Sequence, residues 1–262
     1  VEEAAKGRGG FQARVHLKID TGMERIGVRA ERAVAFVEQV KALSHLDVVG
    51  LYSHFATSDE RDKSFTREQI HRFTSAVDQL RKKNIHIPLV HIANSGGMLD
   101  IPESYFSMVR PGIILYGIYP SRSTSESIPV VPVLSLKSNV VFVKEVEAGT
   151  SISYGRTYTT KEKTKIVTIP IGYGDGYSRR LSNCGEVLLN GNRFPVVGTV
   201  CMDQLMVDVG LSTPVHVGDD VVLIGREGDE SISAWDVADK MDTIPYEVFT
   251  GITARVPRIY IQ

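Results

Sequence analysis

Four short clusters of potentially reactive residues recur in the first half of this 262-residue chain. Lys18 and Asp20 precede the turn Thr21-Gly22-Met23-Glu24-Arg25-Ile26-Gly27. His54 comes near the end of the stretch DVVGLYSHF. Asn94-Ser95-Gly96-Gly97 follows IPLVHIA, and Arg110-Pro111-Gly112 splits an apolar run. An arginine beyond a glycine turn can clamp a carboxylate through two parallel N–H···O bonds. A histidine titrates close to neutrality and can shuttle protons. Small residues that open a helix leave backbone N–H groups facing a phosphate. Each cluster also has a plainer explanation: a surface ion pair, a satisfied histidine, a capped helix start, a strand ended by proline. Their shared position is more informative than any one of them. All four fall at or just beyond the C-terminal ends of predicted strands, where parallel α/β sheets bind ligands.

The elements that must position them follow from periodicity. Ala13–Asp20, Asp47–Phe55 and Ile87–Ala93 read as strands, and Ser107–Arg110 with Gly112–Tyr116 as a fourth extended stretch. Glu31–Leu43 and Thr66–Lys83 carry apolar residues at helical spacing. Lys82 and Lys83 suit the C-terminal end of the second helix. This βαβα rhythm predicts a parallel sheet covered by helices. Residues 121–127 (SRSTSES) read as a linker. Beyond it Leu134–Val146, Lys165–Ile171, Glu186–Leu189, Phe194–Met206 and Asp219–Ile224 read as strands, separated by turns such as Asn190-Gly191 and the glycine-rich GYGDG of residues 172–176. One helix is expected at Ala234–Met241, capped by Ser233 with Asp236 three residues on. The second half is therefore mainly β. The first half holds about four βα units, which suit either a small open sheet or half of a closed barrel.

Composition narrows the function classes. Hydrophobic residues make up 42% and charged residues 23%, ordinary for a globular domain with a sizeable core. Thirty Lys and Arg against 31 Asp and Glu leave a formal charge of −1, which gives no pull towards nucleic acid or an anionic membrane. The two cysteines, Cys184 and Cys201, do not make a disulfide scaffold and suit a reducing cytoplasm. Cys201, Met202 and Asp203 lie in a hydrophobic pattern that reads as core strand. No His/Cys spacing of a metal site and no nucleophile elbow occurs.

Read together, VHLKIDTGMERIG (15–27), LYSHFATSDE (51–60), HIANSGG (91–97), MVRPGIILYG (108–117), SISYGRTYT (151–159), IPIGYGDGYSRRL (169–181), VVGTVCMDQLMVDV (196–209) and IPYEV (244–248) resemble the alanine racemase family. These stretches span nearly the whole chain in the family's order. The resemblance implies an α/β plus β fold. Residues 1–125 would be the second half of a (β/α)₈ TIM-type barrel, and residues 126–262 a mainly β C-terminal domain. It implies pyridoxal 5'-phosphate as cofactor, alanine as substrate, and a cytoplasmic homodimer whose active sites are shared between subunits. The activity implied is interconversion of L- and D-alanine by two bases, supplying D-alanine for peptidoglycan. Serine racemisation on the same fold and a non-catalytic cofactor-binding fragment are the alternatives. A mere binding module has no reason to keep a second base and a carboxylate clamp.

By resemblance, Tyr154 is the base for one face of the substrate and acts in the partner's site. A phenol titrates at about 10 and so needs a proton network, in which His54 and Arg110 resemble its neighbours. Arg110 also resembles the residue bonded to the cofactor's ring nitrogen. Ser95, Gly112, Ile113 and Tyr246 resemble phosphate ligands, and Asn94 a supporting neighbour. Arg25 and the backbone of Met202 resemble the substrate-carboxylate ligands, and Tyr173 a residue lining the approach. Lys18 matches a supporting lysine that is carbamylated in some members. The family's cofactor lysine lies in a stretch of the type Val-Val-Lys-Ala-Asn-Ala-Tyr-Gly-His, which this sequence does not contain. The resemblance therefore implies an upstream segment carrying it. It also implies that the 262 residues alone are inactive and poorly stable, because half a barrel exposes strand edges.

Overall fold

A computed structural model describes residues 1–7 and 11–261. The chain divides into two compact units, Val1–Val131 and Pro132–Gln262. In the first, α1 (Glu2–Lys6) precedes β1 (Ala13–Asp20), β2 (Val28–Arg29), α2 (Ala33–Lys41) and β3 (Leu46–Tyr52). These are followed by α3 (Ser64–Lys82), β4 (Leu89–His91) and α4 (Ser95–Asp100). The sheet runs β2-β1-β3-β4 with every pairing parallel.

Strand alternation sorts β1 into two faces. Leu17 and Ile19 are buried with Val37 of α2 and Phe73, Val77 and Leu80 of α3. Burying each such side chain stabilises the unit by about 1.5–3 kcal/mol. His16 and Lys18 point to the opposite face. The helix α3 opens where the Asp62 carboxylate accepts from the Ser64 N–H (2.8 Å), and it closes on Arg81 and Lys82.

The expected fourth strand does not form. The backbone of residues 107–110 meets the β4 segment through Ser107 N–H to Val90 O and Arg110 N–H to Ala93 O, without a continuous ladder. Pro111 has no N–H to continue a ladder. Ile113–Tyr116 instead winds into a 3₁₀ turn that ends at Gly117, whose φ is +75°.

The second unit is built from β5 (Leu136–Asn139), β6 (Phe142–Val146), β7 (Ser151–Ile152), β8 (Tyr158–Thr159), β9 (Thr164–Ile169), β10 (Glu186–Leu189), β11 (Asn192–Pro195), β12 (Leu205–Asp208), β13 (Asp220–Glu227) and β14 (Glu230–Ile232). Helices α5 (Ala234–Met241) and α6 (Pro245–Gly251) follow. Its sheets are antiparallel. Two expected strands are each broken. Leu134–Val146 divides because β5 joins β13 whereas β6 joins β9, so the chain changes sheets at Val140-Val141. Phe194–Met206 divides because residues 197–204 form an irregular loop between β11 and β12. Cys201-Met202-Asp203 is therefore loop rather than core strand, with Met202 51% exposed. The α5 cap forms as a capping box, in which Ser233 Oγ accepts from Asp236 N–H (3.1 Å) and Ser233 N–H donates to Asp236 Oδ2 (2.7 Å). Among the described residues no helix is long and apolar enough to cross a membrane.

Candidate active site

In the first unit the register places Lys18, Tyr52 and His91 side by side on β1, β3 and β4. Their side chains share the face opposite the helices. The His91 ring stacks on Tyr52, with centroids 5.4 Å apart and planes at 10°. Arg110 and Lys18 both lie over the same phenol ring, at 5.6 and 5.8 Å.

The Arg110 guanidinium is held through both of its Nη atoms. Nη1 donates to His91 Nδ1 at 2.6 Å. Nη2 donates to the carbonyls of Ser53 (2.9 Å) and Ile92 (3.2 Å) and lies 3.2 Å from His54 Nδ1. Guanidinium has donors only, so both imidazoles must accept at Nδ1. Burial, with Arg110, Arg25 and Lys18 nearby, pushes His54 down to about 4. Burial, Arg110 and His16 do the same to His91. Both rings are neutral at neutral pH, with the proton on Nε2. His54 is fixed from behind by Gln69, which is fully buried. Gln69 donates to the His54 carbonyl (3.0 Å) and Thr21 Oγ1 (3.1 Å), and accepts from Ala56 N–H (2.9 Å).

Cations dominate this face. Lys18 Nζ donates to the Ile19 carbonyl at 3.1 Å. Burial lowers its pKa, Asp20 opposes the shift, and Arg25 and Arg110 add to it. Asp20 turns back to accept from the N–H groups of Gly22 (2.8 Å), Met23 (3.0 Å) and Glu24 (3.2 Å). Burial would raise its carboxyl, but these bonds and Lys18 hold it below the usual range. Arg25 is exposed beyond the turn.

Nearby in sequence, Asn94 caps α4 by accepting from Gly97 N–H at 3.1 Å, and it accepts from Ser58 Oγ at 2.7 Å. Ser95 Oγ, almost fully buried, meets the Gly112 N–H at 2.8 Å and the Ile114 N–H at 3.5 Å. A Cβ on Gly112 would lie 3.5 Å from that hydroxyl. A serine hydroxyl converging with glycine-flanked backbone N–H groups, two residues from Arg110, is a donor set for an anion such as a phosphate.

Tyr154, Tyr173 and Met202 come together in the second unit. They line one cleft of about 340 Å³ with Arg179, Thr199 and Cys201. Tyr154 sits on a strained turn, with φ of +66° at Ser153, +72° at Gly155 and +52° at Arg156. Thr199 Oγ1 donates to the Tyr154 carbonyl (2.8 Å) and Ser153 Oγ to the Thr199 carbonyl (2.6 Å), so the backbone is pinned while the phenol is 72% exposed. Tyr173 N–H donates to Cys201 O (3.1 Å) and Gly174 N–H to Met202 O (2.9 Å). At Gly172 a Cβ would overlap both carbonyls, which is why that turn needs glycine. Arg255 pins the loop by bonding to Asp175 (3.2 Å) and Asp203 (2.5 Å). Tyr246 stands apart in the first turn of α6, 39% exposed. Among the described residues no cluster could hold a metal ion.

His91, Tyr52 and His16 were not singled out from sequence. Their signal was the period-two spacing of His16, Lys18 and Asp20 along β1, together with the histidine that opens HIANSGG.

A parallel α/β unit that holds an arginine among neutral imidazoles is joined in one chain to a β unit that exposes a phenol. Residues 1–120 match the alanine racemase N-terminal domain and residues 133–260 the alanine racemase C-terminal domain. Over 94% of its length the chain is 53% identical to an alanine racemase of Halothermothrix orenii, of which it covers 65%. Among solved structures it is similar to alanine racemase of Clostridium difficile 630, with TM-score 0.92, 41% identity, and coverage of 99% of this chain and 67% of that one. The alanine racemase of Bacillus anthracis with bound L-Ala-P gives 0.91, 40%, 100% and 68%. The chain belongs to the alanine racemase family and spans about 65% of the H. orenii relative's length.

Proposed function

We propose that this chain forms most of a pyridoxal-phosphate enzyme that interconverts L- and D-alanine in the cytoplasm, supplying D-alanine for peptidoglycan. The observation that carries it is the Arg110 guanidinium, held by two neutral histidines and two carbonyls beside the Ser95–Gly112 donors. That set fits the cofactor. Ser95, Gly112, Ile113 and Tyr246 would hold its phosphate, Asn94 would support Ser95, and Arg110 would meet its ring nitrogen. Bound there, pyridoxal phosphate supplies the electron withdrawal that makes the α-hydrogen of an attached amino acid acidic. Arg110 cannot readily give up a proton, so it would leave the ring nitrogen unprotonated and restrain side reactions.

The chain's own groups do the rest. Arg25 and the backbone N–H of Met202 hold the substrate carboxylate, and Tyr173 lines its approach. Tyr154 gives or takes the α-proton on one face at its phenolic oxygen. His54, neutral with its proton on Nε2, can donate a hydrogen bond from there to the phenolic oxygen while its Nδ1 faces Arg110. The exposure of Tyr154 and Met202, at 72% and 51%, favours their serving the site of a second copy in a homodimer. Lys18 donates to the Ile19 carbonyl within the cationic row, and as a supporting lysine open to carbamylation it is not the opposing base. We place that base, the cofactor lysine, on a segment outside these residues. On this reading residues 1–125 are the later strands of a larger barrel, and residues 126–262 the β domain that donates Tyr154. The 65% coverage of the H. orenii relative supports this reading.

The test joins the chain to an upstream segment of the Val-Val-Lys-Ala-Asn-Ala-Tyr-Gly-His type and follows the optical rotation of L- and D-alanine with pyridoxal phosphate present. Racemisation of both enantiomers that is lost in Arg110→Ala is expected. Binding of the cofactor with no exchange of the α-proton would overturn the assignment.

A further inference from the structure

Behind Arg110 lies a contact that the roles above leave unexplained. His16 Nδ1 is 2.8 Å from His91 Nε2, with ring centroids 5.0 Å apart and planes tilted by 57°. The two residues are not on neighbouring strands. His16 is on β1 and His91 on β4, with β3 between them. The residue that β3 places opposite His16 is Gly50. Any Cβ built on Gly50 would overlap the His16 imidazole. The register also slips between Val15 and His16, which is an irregularity in an otherwise even parallel ladder. A missing side chain on the middle strand thus lets a side chain from the first strand lie across it and touch the third.

We infer that His16 is a positioning residue for Arg110: it crosses β3 through the gap left by Gly50 and holds the His91 ring, whose other nitrogen orients the guanidinium. The hydrogen-bond chemistry runs in one direction only. Arg110 can only donate, so His91 Nδ1 accepts and its proton lies on Nε2. That proton needs an acceptor, because His91 is only 4% exposed. His16 Nδ1 supplies it. Donating through Nε2 fixes the rotation of the ring and enriches Nδ1 in electron density. A carboxylate behind a metal-bound histidine does the same for its ligating nitrogen. Without His16 the ring is free to flip about its Cβ–Cγ bond and to turn a carbon towards Arg110.

The inference rests on the cofactor reading of Arg110 for its functional consequence, but not for its physical content. The test therefore uses two readouts on the chain joined to its upstream segment, labelled with nitrogen-15 in histidine and arginine. In the unaltered protein the His91 Nε2–H gives a slowly exchanging imidazole proton, assigned by its loss in His91→Gln, and the Arg110 Nη protons are likewise protected. His16→Asn keeps an acceptor near the position of Nδ1 and should keep both signals. His16→Leu should lose both, and the affinity for added pyridoxal phosphate, titrated by absorbance, should fall roughly tenfold. Gly50→Ala should behave like His16→Leu, though it leaves every ionisable group in place. Protected His91 and Arg110 protons in His16→Leu would overturn the inference, as would equal loss of both in His16→Asn and His16→Leu. A chain with intact signals that binds no pyridoxal phosphate would sink the cofactor reading and leave His16 as the anchor of Arg110.

Discussion

The two units hold their reactive side chains in opposite ways. In the first, Arg110, His54 and His91 are fixed by partners within the unit, and the polar atoms behind them are buried: Gln69, Ser53 and Thr21 bond to one another or to the site's backbone. In the second, Tyr154 and Met202 have rigid backbones and exposed side chains. A group with its partners already around it is prepared to bind. A group with a fixed backbone and a free tip is prepared to be presented. The first arrangement couples function to folding, because removing a partner strands a buried donor or acceptor. The second separates them, because the tip contributes little to its own unit's stability.

The largest expected effect tests that separation. Tyr154→Phe, in the chain joined to its upstream segment, should slow racemisation by about 10²–10⁴. The loss should be greater for the enantiomer whose α-hydrogen faces the phenol. Thermal unfolding should move by less than about 0.5 kcal/mol, as for an exposed position. Equal loss for both enantiomers in single-turnover exchange would remove the one-face role. A large stability loss would break the contrast between the units.

Arg110→Lys should do the opposite, changing stability and binding together. A lysine has one compact head and cannot serve His91, Ser53 and Ile92 from a planar fork. The loss of charge-assisted bonds predicts destabilisation of about 1.5–3 kcal/mol in urea, with weaker pyridoxal phosphate binding. Unchanged unfolding with weakened binding would mean that the first unit, too, merely presents its arginine.

Acid supplies a gentler probe of the same wiring. His54 and His91 are held at about 4, against about 6.5 in an unfolded chain. Between those values the unfolded state binds more protons than the folded one, so stability rises with pH. The contribution is complete above about 6.5 and is lost as pH falls towards 4. Urea midpoints taken from pH 7 to pH 4.5 should decline, and the slope should flatten in His91→Gln. A flat profile in the unaltered chain would mean that neither ring is held neutral.

How much of this was legible in the sequence depends on how far apart the cooperating residues lie. The strands and helices around Leu17, Phe73 and Leu80 follow from local periodicity, and the structure repeats them within a few residues. The fourth extended stretch failed because Pro111 and Gly112 spend their backbone on a turn, and an apolar run cannot reveal that. Phe194–Met206 failed because residues 197–204 leave the ladder, so Val197 and Val200 are core without being strand. Lys18, Arg25, His54, Ser95 and Arg110 stood out as clusters at strand ends, whereas Tyr154, Tyr173 and Tyr246 entered only through the family resemblance. The wiring between the clusters was not legible, because the His16–His91 contact spans 75 residues and depends on the side chain that Gly50 lacks.

The smallest predicted effect calibrates the rest. Ser233 and Asp236 form a reciprocal cap that was readable from four consecutive residues, and it touches neither the Arg110 row nor the Tyr154 cleft. Ser233→Ala should cost about 1 kcal/mol in urea. It should leave pyridoxal phosphate affinity and the protected Arg110 protons unchanged. If this remote loss weakened cofactor binding as much as Arg110→Lys does, binding would simply be tracking the folded fraction, and the special standing of the first unit's hydrogen-bond network would disappear. If binding holds while stability falls, the loss of binding in Arg110→Lys belongs to the guanidinium and its four partners.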